Sequence, residues 1–463
     1  MNETRHDSHA NWKNQRRANK TVFLRRELFD EKSIPEDAKS IIENFDKILE
    51  SVNRLSGKQK VSLPGAIKNL SHQLTDERGA RRLGYMNEAS FLSAYANYFM
   101  WWNLVRLCRL FANLPKSAFS FGDSAVALDI GSGPLTVPIA LWLARPELRA
   151  KKITWYCLDL SSNALSLGEE IYLSVAAKTI KNETDRTNVD FDKLNNRKDS
   201  IEPWKIIRVR GALGTQIKEK ADFITCANAF NEIVQRNEMP TDFLAKKYPD
   251  QLSSYLAPLS DEKSKIDDRA QNQKKQTILL VEPGDPHSAR FVSLMRGAFL
   301  RRGFMPVAPC THPEECPMAG RTGGRATNSA GRNAKWCNFA FSTDSAPKNL
   351  LRLSEKAGIP KERASLSFVL LSRDFQQDLR HSEQSDESKK DYNSGKTFIR
   401  ITSDFIKLPE IHKSGYYACS KFGLLLAVDE NHVQPKNGEL LQIKTPDFLD
   451  GRDEKSGALI VKI

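Results

Sequence analysis

The chain has 463 residues, enough for two or three domains around a substantial core. Hydrophobic residues make up 40% and charged residues 27%, ordinary for a soluble globular protein, and seven cysteines are far too few for a disulfide scaffold. The net charge of +13 favours a polyanionic partner, nucleic acid above all.

Residues 1–30 read as a basic disordered arm. Arg5, Lys13, Arg16, Arg17, Lys20, Arg25 and Arg26 stand there against only Glu3 and Asp7 among the first 26 residues. The arm has no apolar core and so no secretory leader, and no apolar run in the chain is long enough to span a membrane. A reducing, cytoplasmic location is expected, mitochondrial if the source is eukaryotic. Residues 31–120 read as a helical region. Ile41, Ile42, Phe45, Ile48, Leu49 and Val52 recur at helical spacing. A second, aromatic-rich helix follows. Leu92, Tyr95, Phe99, Trp102 and Val105 form one stripe, and Leu104, Leu107 and Phe111 make another face apolar, the pattern of a buried helix.

Near residue 121 the period changes. AVALDIGSG, ITWYCLDLS, KIIRVRG, DFITCANAF and TILLVEPG are short apolar runs, mostly separated by helical segments. This alternation predicts a doubly wound parallel α/β sheet, a Rossmann-like domain over 121–375. The polar stretch 181–200 reads as a loop. FMPVAP and LSFVLLSRD read as the last strands, with a cysteine-bearing segment, 306–340, inserted between them. A charged linker (376–396) and a small β-rich domain (397–463) complete the chain.

Asp129, Gly131 and Gly133 stand in ALDIGSGPLT, between the first strand of this domain and its first helix. The glycines allow a tight turn and close approach of backbone to a ligand. Thr136 replaces the third glycine of a dinucleotide loop, and a carboxylate beside the loop would repel a pyrophosphate. The ammonium and sulfonium of S-adenosylmethionine (AdoMet) suit that carboxylate instead. Asp159, ending the next strand, is placed to accept hydrogen bonds from ribose hydroxyls. Packing glycines in a degenerate fold are the alternative. The fourth strand leads into Asn228, Asn231 and Glu232, which could bind substrate or act as a general base, or hold structure only. No catalytic residue is assigned.

Cys310, Cys316 and Cys337 stand in APCTHPEECPMAG and KWCNF, and Cys419 in GYYACSKFG. In a reducing compartment a cluster of thiols favours a metal. Four thiolates suit a [4Fe–4S] cluster or a structural zinc, and the spacing does not choose between them. Unligated thiols are the alternative. His312 is a candidate nitrogen ligand or an ordinary loop histidine. Cys108, Cys157 and Cys226 fall in apolar patterns, as core thiols do. Arg321, Arg325, Arg332 and Lys335 make 320–335 a basic stretch without acids.

ALDIGSGP, the NEI segment, LLVEPGDP, APCTHPEECP, WCNF and the late Cys419 together resemble the methyltransferase-like proteins of the small ribosomal subunit, mitochondrial assembly factors with bacterial relatives. The resemblance covers roughly residues 85–430. It implies AdoMet binding on Asp129, Gly131 and Gly133, and a [4Fe–4S] cluster on Cys310, Cys316, Cys337 and Cys419. It also implies association with small-subunit rRNA during assembly, and it leaves methyl transfer open. The spacer between Cys316 and Cys337 is longer than the family's. Two other readings remain: a non-catalytic RNA-binding scaffold with a zinc site and a relic Rossmann domain, and a methyltransferase of small molecules or proteins.

Overall fold

The computed structural model describes residues 22–75, 84–186, 201–235, 239–259, 275–318, 335–374, 395–446 and 451–463. The chain divides into a larger unit, 29–309 with 336–380, and a smaller one made of the first 28 residues, 310–335 and 381–463. Strand β1 (Val22–Arg26) opens the described chain and belongs to the smaller unit.

The helical region is α1 (Glu36–Glu43), α2 (Phe45–Val52), α3 (Gly57–Thr75), α4 (Ala89–Ala94), a π-helical stretch (Tyr95–Met100) and α5 (Trp101–Asn113). The first amphipathic run is broken at Asn44, whose backbone leaves the helical region (φ −111°, ψ 30°). The aromatic run is interior, as its two apolar faces predict. Trp101 and Trp102 are fully buried, and their indole N–H groups donate to Ile42 O (2.8 Å) and Ser354 Oγ (3.3 Å).

The sheet follows. Its first half is β2 (Ser124–Ile130), α6 (Thr136–Ala144), β3 (Lys152–Asp159), α7 (Ser162–Arg186), β4 (Lys205–Arg210) and β5 (Phe223–Ala227). Then come α8 (Phe230–Gln235), α9 (Thr241–Ser253), β6 (Lys275–Glu282), α10 (Pro286–Leu300) and β7 (Met305–Ala308). β8 (Phe339–Ser342), α11 (Lys348–Lys356) and β9 (Arg363–Asp374) close the unit. The strand order is β4-β3-β2-β5-β6-β9-β7, with β8 on β9. Strands β2 to β6 are parallel, as expected for a Rossmann-like domain. β9 departs from the expected parallel sheet and runs antiparallel to β6 and β7. β8, which precedes it across α11, also pairs antiparallel with β9. Helix α6 is apolar all round and all nine of its residues are buried. The polar stretch expected as a loop from 181 continues α7 to Arg186; residues 187–200 lie outside the described residues.

The smaller unit is a second sheet. Its further strands are β10 (Lys396–Ile401), β11 (Ile406–Leu408), β12 (Lys413–Ser420), β13 (Gly423–Asp429), β14 (Leu440–Lys444) and β15 (Leu459–Lys462). The order is β1-β14-β10-β12-β13-β15, with β11 on β12. Ile399, Ile401, Ala418, Leu425, Leu441 and Ile443 alternate into its core, so this is the expected β-rich domain. The basic arm expected over 1–30 is corrected at its end. Val22 enters this core and β1 pairs with β14, although the charges around it hide its apolar register. Residues 1–21, most of the 376–396 linker and residues 319–334 of the cysteine segment lie outside the described residues.

Candidate functional site

The chain leaves β2 through Gly131 and Gly133, both with positive φ (68° and 51°). At Gly131 space forbids a side chain as well: a Cβ would stand 2.4 Å from that of Ala229. Asp129 lies beneath this loop, 1% exposed. Ser132 Oγ and Thr225 Oγ1 donate to its two oxygens at 2.7 and 2.6 Å. Burial pushes its pKa up to about 7, against the pull of these hydroxyls. It is not among the residues that line the adjoining cavity. A position against a ligand cation was expected for its charge. The structure gives it the loop instead, because it is buried beneath the loop and does not reach the cavity.

Asp159 reaches the cavity. Its Oδ2 accepts from Gly133 N–H (2.9 Å) and its Oδ1 from Ser161 N–H (2.8 Å). A carboxylate offers about four acceptor positions, so about two remain for a pair of hydroxyls. Burial raises its pKa, and the backbone amides oppose the rise.

The cavity measures about 470 Å³, the size of a cofactor site. It opens over the carboxyl ends of β2, β3 and β5, where the strand order reverses and Rossmann-like sheets take their ligands. Gly131, Gly133, Asp159 and Leu160 form one side, and Asn228, Glu232 and Tyr248 another. Tyr85, Met86 and Tyr95 of the helical region also line it. Asn228 sits in the left-handed region (φ 57°) and its N–H donates to Val281 O at 2.8 Å. Asn231, the third candidate on this loop, does not line the cavity.

Three contributors escaped the sequence reading. Glu282 ends β6, 1% exposed, and accepts from Phe230 N–H (2.9 Å) and Asn231 N–H (3.1 Å), fixing the first turn of α8. Burial pushes its pKa up to about 8. The acid of VEPG was its only signal. Gly168, alone in a helical pattern, lets α7 approach the loop; a Cβ there would meet Pro134 C at 2.5 Å. Asn87 ties the 85–87 turn to α7, accepting from Ser161 Oγ (2.9 Å) and, through its carbonyl, from Asn163 Nδ2 (3.0 Å).

Asp129 and Glu282 hold their protons more tightly folded than unfolded. Their contribution to stability is therefore full below about pH 4 and is lost as pH rises through about 7 and 8. Asp129→Asn keeps a group that both hydroxyls can bond and removes one titration. We expect its unfolding free energy to fall less steeply between pH 5 and 8 than that of the wild type, in urea titrations across that range. Identical slopes would refute the assignment.

The cysteines fall in both units. Cys310, Cys316 and Cys419 belong to the smaller one, with His312. His312 and Cys419 are 4% and 9% exposed, and His312 Nε2 lies 3.2 Å from Cys419 Sγ, fastening the cysteine segment to β12. His312 is thus more than a plain loop residue. Cys310 and Cys316 are half-buried. Cys337, also half-buried, precedes β8 in the larger unit, where its carbonyl accepts from Ser367 Oγ at 2.7 Å. Among the described residues, no group of three or more His, Cys, Asp or Glu side chains is arranged to hold a metal ion. Cys108, Cys157 and Cys226 are fully buried, and burial pushes their thiol pKa values up, as expected of core thiols. Among the described residues no helix is long and apolar enough to cross a membrane.

A family model described as mitochondrial small ribosomal subunit Rsm22 matches residues 211–380. The match supports the methyltransferase-like small-subunit family that the motifs resemble, and it spans Cys310, Cys316 and Cys337 but not the glycine loop or Cys419. None of the curated proteins matches the chain. Solved structures similar to this chain include an AdoMet-dependent methyltransferase from Geobacter sulfurreducens with S-adenosyl-L-homocysteine (12% identity, 58% of this chain and 89% of that one, TM-score 0.28). Another is the magnesium protoporphyrin IX methyltransferase of Synechocystis with bound AdoMet (12% identity, 66% and 97%, TM-score 0.27). A third is described as a putative RNA methyltransferase from Pyrococcus horikoshii (12% identity, 58% and 82%, TM-score 0.26).

Proposed function

We propose, from the premise that residues 211–380 carry the pattern of the small-subunit family, that this chain is an AdoMet-binding factor of the small ribosomal subunit. It acts in subunit assembly, in contact with rRNA. For a eukaryotic source the family description points to the mitochondrion. The observation that carries the AdoMet reading is the cavity at the strand reversal, with Asp159 holding the Gly133 amide and facing the space. Asp129, Gly131 and Gly133 shape the loop, Asp159 takes the ribose diol, and Asn228 and Glu232 stand on the substrate side. Calorimetry with AdoMet on the full chain tests it. Heat of binding and a thermal upshift are expected; neither would appear for the non-catalytic scaffold.

The same reading includes a [4Fe–4S] cluster on Cys310, Cys316, Cys337 and Cys419. What supports it is the donor chemistry: four thiols, three of them half-buried, none in a disulfide, and three within the family match. The cluster would supply binding energy that is also folding energy. Cys310→Ser and Cys316→Ser are expected to lose iron and soluble yield on anaerobic purification, while Cys108→Ser keeps both. Wild-type protein without iron and sulfide would reject the cluster, and zinc in its place would support the alternative.

A further inference from the structure

We propose that the outer face of the smaller unit's sheet binds single-stranded RNA, with Phe23 and Phe398 as stacking platforms. This deepens the rRNA reading above and does not depend on AdoMet. β1, β14 and β10 are neighbours in the sheet. Ile399, Leu441 and Ile443 point inward to the core, so the alternate residues Lys396, Phe398, Gln442 and Lys444 point outward. Phe398 is paired with Gln442, and Lys396 with Lys444. Phe23 alternates with the inward Val22 and so lies on the same outward side, where the Lys396 ammonium lies 4.2 Å from its ring centre. Phe23 and Phe398 are 39% and 41% exposed, although a phenylalanine on a sheet normally buries itself.

Charge selects the occupant. VFLRR, KTFIRI and LLQIK, the three strands, contain no acidic residue, and although Arg25 is paired with Glu439, Arg26, Lys396 and Lys444 leave this region cationic. Exposed rings among lysines and arginines match a flexible polyanion whose bases offer flat apolar faces. A duplex hides those faces, and a protein partner of ordinary composition would not call for such one-signed charge. Arg26, at the end of β1, extends the cationic edge, and the basic residues before Val22 in sequence stay intact in every variant below.

The test is fluorescence anisotropy of the full chain with a short oligouridylate and with a duplex RNA. Wild type should prefer the single strand, with affinity falling steeply with salt. Phe23→Ala and Phe398→Ala should each weaken binding roughly tenfold, with the folded state retained because both rings lie outside the core. Changing Lys396 and Lys444 together to Gln should reduce the log–log salt slope by about 1.4. Phe398→Trp should keep affinity, and its fluorescence should be quenched by the oligomer. Wild-type affinity in both alanine variants would overturn this surface and leave the rRNA reading standing. Lysine changes that matter while the ring changes do not, or equal affinity for the duplex, would also overturn it. No salt-dependent RNA binding by the wild type would sink the rRNA reading itself.

Discussion

Gly131→Val is expected to abolish AdoMet binding, with at least about a hundredfold loss of affinity. Two independent constraints meet at this residue. Its φ of 68° is a conformation that costs a β-branched residue heavily. Its missing Cβ would also overlap the Cβ of Ala229, at 2.4 Å. Relief must come from the loop or from the turn between β5 and α8, and both line the cavity. At about a hundred times the dissociation constant, AdoMet should add about 2.7 kcal/mol to wild-type stability; the variant should show no such gain. Gly133→Ala is the control. Its φ is positive too, but the nearest atom to a Cβ is Met86 Cε at 3.6 Å, so a partial loss is expected. Calorimetry and thermal shift on both variants check this. Binding by Gly131→Val within a few-fold of the wild type would show that the cavity does not take the cofactor against this loop.

Asp37→Ala should lower the stability of the larger unit by about 3–5 kcal/mol. Asp37 Oδ2 accepts from Arg149 Nη1 at 2.7 Å; the Arg149 side chain is 0% exposed and that of Asp37 7%. Arg149 also donates through Nε to Trp142 O at 2.9 Å. Without the carboxylate its charge stays buried beside α6, the helix that follows the glycine loop. Replacing both residues, Asp37→Ala with Arg149→Met, should recover part of the loss, since an apolar side chain needs no counter-charge. Urea unfolding followed by tryptophan fluorescence measures all three. A loss under about 1 kcal/mol for Asp37→Ala would mean that the pair does not fasten α1 to the sheet domain.

The parts of the site written within a few consecutive residues were legible in the sequence. The glycine loop, its flanking strand and helix, and the acid ending the next strand are local patterns set by backbone geometry and by periods of two and 3.6 residues. The parts built across the chain were not. Glu282 acts on amides some fifty residues earlier, and nothing beside it in sequence announces that. Gly168 is needed only because Pro134, distant in sequence, packs against it. The reversal of β9 and the short β8 were hidden because an apolar run does not state its direction.

The amino-acid pattern alone determined a doubly wound sheet, a glycine loop after its first strand, a small β-rich unit and core roles for Cys108, Cys157 and Cys226. Burial patterns and turn chemistry are local, so they survive without coordinates. Only the tertiary structure decided which acid faces the cavity. Asp129 and Asp159 both end strands by sequence, but Thr225, 96 residues away, and Ser132 bind Asp129 beneath the loop, whereas Asp159 lines the cavity. It also decided that the end of a basic arm is a strand, because Val22 fills a core formed by residues nearly four hundred positions later.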